Sequence, residues 1–412
     1  MQLLSLLRSA ITDYADFPVL RELLTQREFS PVVHILAIGK AASGMAATAL
    51  HTLSGIRGQA CADFCDGFVL TKYGHLLHST APLIPLEAGH PLPDDNSLAH
   101  TNAILTWLHS LPAREDLIVL LSGGGSALFE SPLPGMSLDD VIARGTALLH
   151  SGQDIAAMNT ERKAMSAVKG GKALERTPCH RVYVYALSDV AGNDPAVIAS
   201  GPFTPPIEGI TREKCTIYQN SAHKVFYHII GDNASFLQFL APKLSPCGCP
   251  VQILPGYRTE TAEIGAADLA NRALHAAPGI YLLGGEMPVT VRGSGAGGRC
   301  THFALCFAKA ISGRAEIELI AIASDGNDNL TASAGAMVNG NSWTELAVQG
   351  IDGDLAIAAN DSFTALSAIH AIIPGFPSGL NINDVLLLCC SPCASRVPTR
   401  ASRGDHEGIT SD

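Results

Sequence analysis

Charge is scarce in this chain: Asp, Glu, Lys and Arg make up 16% of it, against 47% hydrophobic residues. That balance excludes a disordered chain and fits a large, well-buried globular enzyme. Positive charge is scarcer still. The 27 Lys and Arg face 38 Asp and Glu, a formal net charge of -11. The sign excludes a general binder of nucleic acid or anionic membrane, so an anionic ligand would need local positive sites. No apolar run approaches the roughly 20 residues of a membrane span. Leu3, Leu4, Leu6 and Leu7 are broken by Ser5 and stopped by Arg8, with no charged segment before them. A signal peptide is therefore not expected, and the continuation through Ile11 and Tyr14 reads as an amphipathic helix. Zinc-type cysteine pairs are missing: the eleven cysteines are odd in number and scattered. Mostly buried, reduced thiols in a cytoplasmic protein are the simpler expectation. A Walker A motif is missing too, because neither Gly39-Lys40 nor Gly171-Lys172 has the upstream glycine.

What is present is a repeated unit of apolar strand, polar turn and helical pattern. A length of 412 residues makes two domains the default. Strands are predicted at residues 32–38, 117–121, 182–187, 280–283 and 317–323. They lead into Gly39-Lys40, residues 122–126, Ser188-Asp189, residues 284–286 and residues 324–326. Continuous apolar strands alternating with helices imply a mostly parallel sheet covered on both faces. In such sheets ligands bind beyond the carboxyl ends of the strands, where all these turns would lie. Pro246, Pro250 and Pro255 cluster with Gly248 and Gly256, so a boundary is expected at residues 245–256. After Cys390 the pattern collapses, and residues 391–412 read as a disordered tail.

The sharpest chemical signal is residues 289–299, a β-branched triplet entering a turn with Gly293, Gly295, Gly297 and Gly298, flanked by Arg292 and Arg299. Free N–H groups in such a turn, ahead of a helix, form an anion site, and guanidinium groups strengthen it. Lys40 and Arg299 each stand at a helix start, on the wrong side of the helix dipole. A bound anion would remove that conflict; snorkelling to water is the other reading. Residues 122–126, Ser-Gly-Gly-Gly-Ser, form a second glycine nest or else a tight packing turn. Asp189 and Asp325 lie just past strand ends, with Asp194 and Asp328 close behind. They suit Mg²⁺ held with substrate oxygens, or a base for a hydroxyl, or simply helix caps and Asx turns. Arg162 and Lys169 would share a helix face, as a substrate-anion surface or a solvated one. The turn at residues 293–298 also satisfies Gly-x-Gly-x-x-Gly, but the acid at the spacing of a dinucleotide site is missing.

Together these motifs resemble the glycerate 2-kinase family, whose C-terminal half is called the MOFRL domain and which also carries the label hydroxypyruvate reductase. The matching segments run from Ile38-Gly-Lys-Ala-Ala42 through Thr71-Lys-Tyr-Gly-His75, Glu87-Ala-Gly-His-Pro91 and Leu121-Ser-Gly-Gly-Gly-Ser-Ala-Leu128. They continue with Asn159-Thr160, Arg162-Lys163, Lys169-Gly-Gly171, Ser188-Asp-Val190, Gly284-Gly-Glu286, Gly297-Gly-Arg299, Asp325-Gly326 and Asn381-Ile-Asn-Asp384. The resemblance implies two three-layer α/β/α domains with the active site in the cleft between them. One is an N-terminal, Rossmann-like, mostly parallel domain over residues 1–245; the other is a smaller C-terminal domain over residues 256–390. It implies phosphorylation of D-glycerate by ATP and Mg²⁺ to 2-phosphoglycerate in a monomer or homodimer. It makes Lys40, Arg299 and Asp189 the catalytic residues. Ser122, Gly123, Gly124, Gly125, Ser126, Glu286, Gly293, Gly295, Gly297, Gly298, Asp325 and Asn383 become nucleotide-site residues, with Mg²⁺ on Asp189 and Asp325. The chain leaves the family pattern at Cys300, Thr301, His302, Ala332, Phe376 and Leu380. The alternatives are an NAD(P)H-dependent hydroxypyruvate reductase and a diverged inactive paralogue.

Overall fold

The computed structural model describes residues 2–150, 155–212 and 215–390, and the tail expected at residues 391–412 lies outside them. Fourteen strands appear among the described residues. In chain order they are β1 Val33–Ile38, β2 Cys65–Lys72, β3 Ile84–Ala88, β4 Asp116–Leu121, β5 Arg181–Leu187, β6 Ile210–Arg212 and β7 Cys215–Gln219. Then come β8 Lys224–Gly231, β9 Val251–Arg258, β10 Gly279–Gly285, β11 Ile317–Ala323, β12 Ser333–Asn339, β13 Ile372–Pro374 and β14 Asp384–Cys390. The five strands predicted from apolar runs are β1, β4, β5, β10 and β11. The triplet at residues 289–291 is not a strand.

The first sheet has the order β3-β2-β1-β4-β5-β8-β7-β6. It is parallel from β3 to β8, and β7 and β6 extend it antiparallel. Every residue of β1 and β4 is buried, because helices cover both faces. Ile38 pairs with both Leu70 and Leu121, so β1 and β4 finish level and β2 runs two residues further, to Lys72. The strand order reverses between β1 and β4, which opens a crevice at that edge. Lys40 and residues 122–126 lie there.

The second sheet corrects the expectation of parallel strands. Its order is β13-β12-β11-β14-β10-β9, and only β9 and β10 pair in parallel. Strand β14 runs antiparallel between β10 and β11, and Asp384 faces both Gly285 and Ala323. The amino end of β14 thus falls among the carboxyl ends of β10 and β11. Apolar run length cannot reveal this, since a central antiparallel strand buried on both faces reads as continuously apolar. The Pro/Gly-rich stretch at residues 245–256 also differs from a plain linker. It enters edge strand β9, where Pro255 falls at the irregularity in pairing to β10.

The alternating faces of the strands divide three cores. Val33, Ile35 and Ala37 of β1 share one core with Ile280 and Leu282 of β10. Leu36 and Ile38 turn to the outer helices of the first sheet, and Tyr281 and Leu283 to those of the second. Helix Ala42–Arg57 packs on β1 and β2, and helix Asn233–Leu244 packs on β9 and β10. Helix Gln2–Tyr14 lies against Asn233–Leu244, with Leu7, Ala10 and Ile11 fully buried and Tyr14 edge-on to Phe236 at 5.3 Å. Each fully buried Leu or Ile here contributes about 1.5–3 kcal/mol. Two three-layer units therefore stand back to back over one continuous helical core, which fixes the walls of the cleft at their common edge.

Candidate active site

On the first wall, Lys40 follows β1 through Gly39, whose φ is +121° and whose added Cβ would fall 2.2 Å from Ser122 Oγ. The Lys40 N–H donates to Gly123 O at 2.9 Å, and its ammonium donates to Asp325 Oδ2 at 2.8 Å. Ser122 is fully buried, and its Oγ accepts the Ala41 N–H at 3.0 Å. It ties the β4 turn to a helix start and does not face the cleft. Gly123 is required by its neighbours: a Cβ there would meet Asp189 Oδ2 at 1.8 Å and Asn381 Nδ2 at 1.9 Å. The N–H groups of Gly123, Gly124, Gly125 and Ser126 find no acceptor among the described residues. Ser126 Oγ lies 2.9 Å from Ser200 Oγ. The loop thus combines the two readings open in the sequence: it brings four unbonded N–H groups to the crevice, and its glycines are required by packing, with Ser122 as the structural anchor.

On the second wall, Arg299 is the first residue of helix Arg299–Ala310. Its guanidinium donates to both oxygens of Asp384, at 2.9 and 3.0 Å, and to Glu286 Oε1 at 2.9 Å. The glycine turn before it differs from the expected open nest. Arg292 and Gly293 donate their N–H groups to Asn360 Oδ1, Gly295 to Ala359 O and Ala296 to Asp361 Oδ1. None of the four glycines has a positive φ; they are needed because other backbone comes close, as where a Cβ on Gly298 would lie 2.2 Å from Asp328 O. The helix start is capped from within, since Cys300 and Thr301 donate N–H groups to Asp328 at 2.9 and 2.8 Å. The dipole conflict at Lys40 and Arg299 is therefore already relieved by carboxylates of the second sheet, not by an external anion alone. Arg292 turns away to an exposed pair with Glu263 at 3.8 Å. Asp194 takes the local role, its Oδ1 accepting the Ala196 N–H at 2.9 Å.

Asp189 stands where the walls meet. Asn381 donates to its Oδ2 at 3.1 Å, and the Asn383 amide donates to its backbone oxygen and contacts the Tyr257 hydroxyl. Burial raises the Asp189 carboxyl above its ordinary value, although Lys40 and Arg299 pull the other way. Burial likewise raises Glu286, with Asp384 adding to the shift. For Asp325 burial is outweighed by the Lys40 ammonium, and its carboxyl lies below the usual range. Lys72, unpaired among the described residues, is lowered by burial and by the charge of Lys40. His90 is pushed down to about 3 by burial and the same two ammonium groups, so it is neutral. Two crowded cations and a glycine nest make a place where an anion is favoured.

Asp328 makes one pH prediction. Burial and the neighbouring Asp384 raise its carboxyl from 3.8 to about 6. A raised carboxyl favours the folded state when protonated. Its contribution is complete below the unfolded value and is lost as pH rises through the folded one. The stability of the wild type relative to Asp328→Asn should fall by roughly 2.4 kcal/mol between pH 4 and pH 7. Urea titrations at each pH measure it, and a difference independent of pH would refute the assignment.

Three cavities meet at His90. The largest, 560 Å³, is lined by Lys40, Lys72, Arg299, His302 and Asp325 among others. A 180 Å³ cavity holds Lys40, Asp189, Glu286, Arg299 and Asp384. A third, of 300 Å³, adjoins them through His90 and Gly124. Asp384, Lys72 and His90 belong to this site and were not singled out from the sequence; Asp328, singled out with Asp325, lines it as well. Lys72, His90 and Asp384 do lie in quoted segments. Of the positions where the chain departs from the family pattern, His302 alone lines one of these three cavities, and its Nδ1 has no partner among the described residues. Cys300 and Leu380 are buried, Ala332 is exposed, and Phe376 O packs against Gly326.

Fold and site define an enzyme of the two-domain α/β class, with Lys40 of the first sheet paired to Asp325 of the second across the cleft. Residues 3–224 match the model described as a domain of unknown function (DUF4147), and residues 279–384 match the MOFRL family. D-glycerate 2-kinase of Thermotoga maritima is 33% identical over 402 residues, covering 90% of this chain and 94% of its own. A putative hydroxypyruvate reductase of Agrobacterium vitis is 33% identical over 352 residues, covering 78% of this chain and 80% of its own. The crystal structure of glycerate kinase from Thermotoga maritima superposes with a TM-score of 0.78 at 30% identity, covering 94% of this chain and 99% of that one. The chain belongs to the glycerate 2-kinase family.

Proposed function

We propose that the protein transfers the γ-phosphoryl group of ATP to the 2-hydroxyl of D-glycerate, giving 2-phosphoglycerate and ADP. The reading rests on one observation above all: Lys40 and Arg299, far apart in the chain, line the same cavities between the two sheets. Phosphoryl transfer asks mainly for positioning and charge neutralisation. Lys40 and Arg299 would contact the transferring group, Lys72 the adjacent phosphates, and the N–H groups of residues 123–126 an anionic oxygen. Asp189, raised toward neutrality by burial, is suited to take the proton from the attacking hydroxyl as the bond from phosphorus to the ADP oxygen breaks.

Mg²⁺ fits the carboxyls present. No group of three or more ligating side chains is arranged for a metal among the described residues. This suits an ion held by one or two carboxylates and otherwise by phosphate oxygens and water. Asp325 and Asp189 would hold it, with Glu286 lining the same cavity as Asp189 and Asp325. A cation also relieves the burial that raises Glu286. When bound, it neutralises charge on the phosphates.

The relative named hydroxypyruvate reductase calls for a direct comparison. The turn at residues 293–298 follows no strand, and four of its six N–H groups are taken, by Asn360 Oδ1, Ala359 O, Asp361 Oδ1 and Thr301 Oγ1, which removes the basis for a dinucleotide site there. ADP release from Mg-ATP should therefore require D-glycerate, measured by a coupled assay. NADH oxidation driven by hydroxypyruvate, without ADP release, would overturn the proposal. ATP binding with neither reaction would identify an inactive member of the family.

A further inference from the structure

The 300 Å³ cavity shares Gly124 and Ser126 with the glycine nest, but its other polar residues, Arg162, Glu130 and Lys169, have no part in the roles assigned above. It lies between helix Ile155–Met165, helix Leu138–His150 and residues 124–130 of the glycine nest. Its apolar walls include Leu92, Val141, Ile142 and Met165. Three polar features interrupt them. Arg162 lines the cavity and has no hydrogen bond or ion pair among the described residues. Ser126 presents its hydroxyl and an unbonded N–H. Glu130 is 1% exposed and paired with the buried Lys169, yet its Oε1 has no hydrogen-bond partner. A buried carboxylate oxygen left without a donor is costly, and a ligand hydroxyl would remove the cost.

The placement is built into the backbone. Leu133 N–H donates to Met165 O at 2.9 Å and Ala167 N–H to Ser131 O at 2.7 Å. The two short segments carrying Glu130 and Lys169 are thereby held side by side. Since Glu130 and Lys169 offset each other, Arg162 leaves the cavity with one uncompensated positive charge.

We infer that this cavity is the acceptor subsite, and that it selects short polyhydroxy acids. The carboxylate binds Arg162, a non-reacting hydroxyl donates to Glu130 Oε1, and the reacting hydroxyl points past Gly124 toward Asp189. The larger 560 Å³ cavity is left for the nucleotide. This inference rests on the kinase reading for its roles, but its test does not depend on turnover.

Calorimetric titration with D-glycerate, without ATP, should show binding weakened about tenfold or more in Arg162→Gln, with partial recovery in Arg162→Lys. KM for ATP should not change. Glycerol, which lacks the carboxylate, should be used no worse by Arg162→Gln than by the wild type. Arg162 makes no ion pair, so thermal midpoints should match. A raised KM for ATP with unchanged glycerate binding would assign the cavity to the nucleotide and overturn the inference. So would unchanged glycerate affinity, or wild-type protein that does not bind glycerate. Normal binding with no ADP formed would overturn the kinase reading and leave this one standing.

Discussion

Lys40→Ala should lower kcat by about 10²-fold or more, which corresponds to about 3 kcal/mol of transition-state stabilisation. Lys40 ends on the same crevice as the glycine nest, and its ammonium, 16% exposed, is directed across the cleft to Asp325. A phosphoryl group arriving between the sheets would meet that ammonium in a partly dry site, where charge counts for more than in water. Removing it also leaves Asp325 largely buried without its cation, so the Asp325 carboxyl should rise from its lowered position. The acid limb of the rate profile should then move to higher pH. Steady-state kinetics across pH measures both effects. An unchanged kcat at saturating substrate would make the Lys40–Asp325 pair structural only.

Arg299 carries the second large expectation, and it must be separated from stability. Arg299→Ala strands Asp384, 2% exposed, without a cation. Breaking a buried pair from one side costs about 3–5 kcal/mol, and the 38% exposure of Arg299 places this case toward the low end. Asp384→Asn tests the positioning role alone. It keeps the shape and one acceptor, frees the guanidinium from its bidentate clamp, and should reduce kcat by about tenfold or more with a smaller change in KM for ATP. Arg299→Lys should not restore activity, because an ammonium cannot span both Asp384 oxygens and Glu286. Loss of stability in Arg299→Ala with full kcat in both conservative variants would assign Arg299 to the fold and not to the reaction.

Much of the first wall was legible in the sequence. The apolar runs of β1 and β4 ended in turns whose glycines and Lys40 could be placed at a carboxyl edge, and they lie there. The second wall was legible only in part. Arg299 stood out at a helix start, but its partner did not. Asp384 opens an antiparallel strand, and a reading in which all strands run one way looks for chemistry only after strands, never before them. The glycines at residues 293–298 marked a real constraint with a different cause, close backbone approach in place of positive φ. The partners of Asp328 and Asp384 illustrate the general limit. A carboxyl that caps a helix from another element, or clamps an arginine across a sheet, has no local pattern to betray its partner. Lys72 and His90 lay inside quoted segments, yet only the strand register and the shared cavity show that they face Lys40.

The central claim is that this cleft moves a phosphoryl group onto the 2-hydroxyl of D-glycerate. Proton-coupled ³¹P NMR of the protein with Mg-ATP and D-glycerate tests it most directly. The account predicts growth of ADP together with one new phosphomonoester signal. That signal should be a doublet, because a phosphate on carbon 2 couples to a single neighbouring proton. A triplet would place the phosphate on carbon 3 and contradict the assigned geometry. ATP that remains intact beside D-glycerate would contradict the reaction itself.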